Sequence, residues 1–347
     1  MKSSIPHNER RVRYFTFCAI GAIDVLMLDI AKVVTRSSSG RFDNVVFFDK
    51  NTEDVDQTCR RIPGAIGFPA EFLSTVLLQD DGGGNSADEP SALATPVEEP
   101  DTSQVREAQR RKETRHKYIK SFPFDILNFD LEKYFFTPND PIPGKMVKAL
   151  LKIFDWQKRV GVDHQGKPVK IDSFSLMFTT PIGPPNLTGD YLDQLETCLV
   201  RNVEGSQSLR TAFNSRVGHE DVGQLRGAEF SLFYKLAMPK VLASLLKESG
   251  WMIESEEAIR SFVVSRPSAS GGYQMLHLTM QVRRQPPSLP GVQDNAVASS
   301  HLKVIERLFR EQEIHVTDEF VEVMKLDLQH DLDKIIARRK KYMEGKH

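Results

Sequence analysis

Three acids, an amide and a lysine break into an otherwise apolar run at 121–136, Ser-Phe-Pro-Phe-Asp-Ile-Leu-Asn-Phe-Asp-Leu-Glu-Lys-Tyr-Phe-Phe. An apolar stretch of about 4 to 8 residues between turn signals is what a parallel strand covered on both faces requires. Polar groups at its carboxyl end then face the crevice where open α/β sheets bind ligands. Asn128 and Asp130 stand at that end. An amide and a carboxylate in such a place can orient or deprotonate a nucleophilic nitrogen or oxygen, a task in which positioning contributes most. The same carboxylate can instead cap a helix or pair with Lys133. Asp49 ends a second apolar run, 44–48, and Asp80 follows a third, 72–78. Glu132 and Lys133 beside Asp130 lack a second acid at metal-bridging distance, so no metal site is expected. Gly271-Gly272 has neither the lysine nor the helix of a phosphate loop and reads as a hairpin turn.

The elements that must place these residues alternate. A β-rich run over 13–20 breaks at Gly21, and a helix follows over 22–34, apolar at Ile23, Leu26, Met27, Ile30, Val33 and Val34. The run 44–48 predicts a second strand, with a helix capped by Asn51 or Thr52 running to Arg61, where Pro63-Gly64 stops it. After an Ile66-Gly-Phe-Pro69 turn, 72–78 predicts a third strand or a short helix plus strand. The fourth strand, 124–130, is followed by an amphipathic helix over 144–160 and a fifth strand over 173–180, with Thr179 and Thr180 lining the crevice. Helices over 191–200 and 228–248 lead to two strand-like runs, 258–265 and 273–284. The glycine-rich loop between them predicts an antiparallel hairpin.

Two stretches depart from this alternation. Residues 81–103, with Gly82-Gly-Gly84 and three prolines among Ser, Asp and Glu, have almost nothing to bury and predict a disordered acidic linker. It leads into a basic helix over 104–120 carrying Arg106, Arg110, Arg111, Lys112, Arg115, Lys117 and Lys120, which is either a solvated face or a contact for phosphate or an acidic partner. Residues 286–347 predict a linker and a charged helical C-terminal extension with the basic run Arg338, Arg339, Lys340 and Lys341.

At 347 residues, with 40% hydrophobic and 27% charged, the chain has the composition of a globular protein able to bury a large core. No apolar run reaches the roughly 18 residues that span a membrane. A cytoplasmic location is expected, because Asp24 and Asp29 interrupt the one N-terminal segment apolar enough to resemble a secretory signal. The three cysteines are far apart and predict neither disulfides nor a zinc site. A formal net charge of −1 leaves any anionic partner dependent on a local patch.

Five strands alternating with helices, then a helix and a closing hairpin, resemble the class I S-adenosylmethionine-dependent methyltransferase fold over about 13–284. The resemblance implies an α/β, doubly wound, mostly parallel seven-stranded sheet closed by an antiparallel hairpin. The domain would take residues 1–80 and 118–285, with 81–117 inserted as linker plus basic helix and 286–347 appended. In that family the first strand ends in a glycine-rich turn against the cofactor. The matching stretch here is Phe15-Thr-Phe-Cys-Ala-Ile-Gly21, so Phe17, Ala19 and Gly21 would lie along S-adenosylmethionine. Asp49 matches the acid that accepts the ribose hydroxyls, and Asp80 matches the residue near the adenine amino group. Asn128 and Asp130 match the polar pair closest to the transferred methyl. The pattern departs at Phe15, where an acid is usual, and at Ala19, where the first glycine is usual.

Three function classes follow. One is a methyltransferase acting on nucleic acid or another macromolecule, touched by the basic helix and by Arg338 to Lys341. Another is a catalytically degenerate methyltransferase-fold subunit, a pseudoenzyme that assembles with a protein partner through helices over 299–347. The last is a nucleotide enzyme of another doubly wound family such as a dehydrogenase, which the missing Gly-x-Gly-x-x-Gly disfavours.

Overall fold

The computed structural model describes residues 11–17, 22–78, 102–131, 134–135, 144–163, 166–183, 190–217, 230–254, 259–266 and 273–286. The described elements are, in chain order, β1 (Tyr14–Thr16), α1 (Ile23–Ile30), β2 (Val45–Asp49), α2 (Thr52–Arg61), β3 (Ile66–Pro69), α3 (Phe72–Leu77), α4 (Thr102–Lys120) and β4 (Ile126–Asp130). The chain continues with α5 (Lys145–Trp156), β5 (Gly161–Val162), β6 (Pro168–Val169), β7 (Ser173–Pro181), α6 (Asp190–Gly205) and α7 (Gln207–Val217). It closes with α8 (Phe230–Glu248), β8 (Trp251–Ile253), β9 (Arg260–Arg266) and β10 (Tyr273–Arg284).

The protein is α/β. Its main sheet runs β3-β2-β1-β4-β7-β10-β8, with β9 also on β10. The five strands from β3 to β7 pair in parallel, and β10 is antiparallel to β7, β8 and β9. β8 pairs with the end of β10 and β9 with its beginning, so the two share one edge and the sheet is seven strands across. β9 and β10 form the antiparallel pair expected from the glycine-rich loop, and β8 was not anticipated.

Alternation along the strands divides the core in two. Tyr14, Val45, Phe47 and Ile126 pack with Val25 of α1 and Val55 of α2 on one face. Phe15, Val46, Phe48, Leu127 and Phe129 pack on the other face with residues of α3, α4, α5 and α8. Phe15 is the hub of that second core: its ring centroid lies 5.6 to 6.2 Å from those of Phe17, Phe48, Phe72, Tyr118, Phe124 and Phe129. Burying such a ring stabilises by about 1.5 to 3 kcal/mol, with aromatic pairing in addition. An aromatic side chain therefore stands where the resemblance calls for an acid because that position faces the core.

The third strand differs from the expected one. β3 is the Ile66–Pro69 stretch that reads as a turn, and 72–77 is the helix α3. β3 lies at the edge of the sheet, where a proline's missing donor is tolerated. Gly67 is there for room: a Cβ would sit 2.5 Å from Val55 Cγ1 and 2.6 Å from Phe47 Cζ. The strand end that was to present Asp80 is thus Pro69, and Asp80 itself lies outside the described residues, as does most of 81–103.

The basic helix is one continuous element, α4, running through the boundary placed between 117 and 118. Its last turns belong to the core: Tyr118 is fully buried, and the Arg115 guanidinium lies 5.8 Å from the centre of the Trp156 ring. Gln157 then ties the entry to β4. It accepts from Phe124 N at 2.7 Å and donates to Phe124 O at 2.9 Å, occupying both backbone groups just ahead of the strand. The stretch 161–170 holds the small hairpin of β5 and β6, and α7 forms where little pattern is legible. The C-terminal extension over 299–347, with Arg338 to Lys341, lies outside the described residues. No helix among the described residues is long and apolar enough to cross a membrane.

Candidate functional site

From β1 the chain moves outward through β2 to β3, then returns to the other side of β1 with β4 and β7. The reversal falls between β1 and β4, and the carboxyl ends of these strands frame the crevice where such sheets take ligands.

Four side chains close into one network there. Tyr14 and Thr16, two residues apart on β1, face α1 and both donate to Asp24 Oδ2, at 2.8 and 2.7 Å. Asn128 on β4 reaches across and donates from Nδ2 to the Tyr14 hydroxyl at 2.9 Å and to Thr16 Oγ1 at 3.2 Å. Both amide hydrogens and both hydroxyl hydrogens are thereby used, the condition under which a buried polar cluster rigidifies rather than destabilises. Tyr14 and Thr16 are buried, and Asn128 and Asp24 are half-buried. Burial and then the Asp24 charge push the Tyr14 hydroxyl well above its ordinary pKa, so it stays protonated and keeps donating. Asp24 comes from the first turn of α1, where a carboxylate also complements the helix dipole. The residue that starts this helix, Ala22, is buried in the left-handed region at φ 48°, a conformation costly for a residue with a Cβ.

Asp49 ends β2 as its placement predicts and is half-buried. Its Oδ1 accepts from Asn51 N at 2.8 Å, and Asn51 in turn caps α2 by accepting from Glu53 N at 3.0 Å. Oδ2 makes no hydrogen bond among the described residues. Phe17, just past β1, is half-buried with its ring centroid 4.7 Å from that of Phe72. Ala19 and Gly21 lie outside the described residues.

Asp130 ends β4 on the same face as Asn128 and is exposed rather than partly buried. Across the sheet it stands opposite Thr179 of β7, which stands opposite His277 of β10. Thr179 Oγ1 and His277 Nδ1 are 2.9 Å apart. Thr180 points to the other face and is fully buried. Carboxylate, hydroxyl and imidazole therefore form a row across three strands, about 5 Å per strand, next to the network on β1 and β4. Among the described residues no three of His, Cys, Asp and Glu converge on a metal-sized space.

Sequence reasoning thus finds Asn128, Asp130, Asp49 and Thr179 but misses Tyr14, Thr16, Asp24 and His277. The first three leave a trace, two polar residues on alternate positions of an apolar strand and an acid opening the next helix. His277 leaves none, because only the register of β10 against β7 puts it beside Thr179. No family model matches the chain, and no curated protein is similar to it.

Proposed function

We propose that this is a doubly wound, methyltransferase-like protein that binds S-adenosylmethionine at the carboxyl edge of β1 and β2. The observation that carries this reading is Asp49 at the end of β2, next to the strand that borders the reversal in strand order, whose Oδ2 makes no hydrogen bond among the described residues. A carboxylate with an open oxygen at that place pairs well with vicinal hydroxyls. Helices on both faces of a parallel sheet closed by an antiparallel strand support the same reading. The donor set fits the cofactor in part: Asp49 would hold the ribose and Phe17 would offer an apolar wall. When bound, the cofactor supplies an electrophilic methyl on a positively charged sulfur. Asp130 and the Thr179–His277 pair are then the chain's own groups able to orient an acceptor and take its proton. Calorimetric titration with S-adenosylmethionine tests the reading, which requires saturable binding and fails if no heat appears at millimolar ligand.

The assembly reading keeps two observations in its favour. Both amide hydrogens of Asn128 are consumed inside the protein, and Phe15 replaces the acid that the cofactor's methionine end would meet. A fold that binds no cofactor and serves as a subunit would show this, and the same titration separates the two.

A further inference from the structure

We propose that the outer face of α4 is a nucleic-acid-binding surface that grips the phosphate backbone. Helix positions 106, 110, 113, 117 and 120 are spaced four and three residues apart, so they line one face. Four of the five are Arg106, Arg110, Lys117 and Lys120, all exposed and, among the described residues, without an ion pair. The stripe is about 21 Å long at 1.5 Å per residue. The helix cannot turn it inward, because Arg115 and Tyr118 on the opposite face are fixed in the core. A Cβ on Gly161 would fall 2.1 Å from Phe122 O, so the start of β5 touches the turn after α4, and Arg159, two residues before it, is exposed near the Lys120 end of the helix.

The chain as a whole carries a formal charge of −1, so this density of cations is local. What the face lacks selects the partner. Its other residues are Gln109, Glu113, Thr114 and His116, with no large apolar side chain among them. Protein interfaces are anchored by buried aromatic and aliphatic groups, and membrane-surface helices insert an apolar face. A stripe of four cations with a single acid, Glu113, and no apolar anchor serves counterion release from a polyphosphate.

The test is fluorescence anisotropy of the full chain with a labelled 20-base-pair mixed-sequence duplex and a 20-nucleotide single-stranded RNA. At about four phosphates neutralised, the log–log salt slope for the duplex is about −3.6, so affinity falls about 150-fold from 50 to 200 mM salt. Arg106→Gln, Arg110→Gln, Lys117→Gln and Lys120→Gln together should weaken binding at least about tenfold at 50 mM and flatten that slope. Tighter binding of either probe identifies the nucleic acid. Binding by the quadruple variant within twofold of wild type, or equal binding to poly-glutamate or to anionic phosphatidylserine vesicles, overturns the proposal. The outcome is independent of whether the crevice binds S-adenosylmethionine.

Discussion

Asn128 on β4 donates to the hydroxyl of Tyr14 on β1 at 2.9 Å, across the point where the strand order reverses. The bond joins strands through residues 114 apart in sequence, and Tyr14, together with Thr16, passes the contact on to the Asp24 carboxylate. Tyr14→Phe leaves Asp24 and Asn128 each one partner short, which should cost about 1 to 3 kcal/mol. In a double-mutant cycle with Asn128→Leu the coupling should exceed about 0.5 kcal/mol. Additive losses in urea unfolding would mean that the four groups do not act together.

Tyr118 behaves in the opposite way. Its hydroxyl is buried among aromatic rings with no hydrogen-bond partner among the described residues, and burial pushes its pKa well above the ordinary value. Tyr118→Phe should be neutral or stabilising by up to about 1 kcal/mol at pH 7, since it removes an uncompensated polar group. The alkaline limb gives the sign. The folded pKa lies above the unfolded value of about 10, so above that pH the folded state holds a proton the unfolded state has released, and stability falls as pH rises. Stability is unaffected by this group below about pH 10, and above it the wild type should lose up to about 1.4 kcal/mol per pH unit more than the Phe variant. Equal alkaline limbs for the two proteins would refute the assignment.

Gln157 is the clamp on the start of β4. Replacing it by Leu strands Phe124 N and Phe124 O in a buried place and should cost about 2 to 4 kcal/mol in denaturant midpoint experiments. A loss below about 0.5 kcal/mol, within surface noise, would show that water or a backbone shift replaces both bonds.

What was legible in the chain follows from these contacts. Strands β1, β2, β4, β7 and β10 were legible because each is an apolar run bounded by turn residues, and the helices came with them except α3 and α7. β3 was not, since its edge position permits Pro69 and its packing demands Gly67, and both residues signal a turn. Asn128 was legible as a polar residue in an apolar strand, but its partners were not. Tyr14 and Thr16 look like ordinary strand residues until the parallel register of β1 and β4 places them beside it. Likewise Phe15 departs from the methyltransferase pattern for a reason visible only in the aromatic core it centres.

The central claim is that Asp49 receives a ribose, and ligand dissection tests it most directly. Calorimetry with the wild-type chain should show S-adenosylmethionine and adenosine binding, both weakened by about 1 to 3 kcal/mol in Asp49→Ala, a factor of about 5 to 150. Adenine, which has no ribose, should bind the two proteins equally. Equal affinity of wild type and Asp49→Ala for S-adenosylmethionine, or no binding to wild type at millimolar ligand, would contradict it.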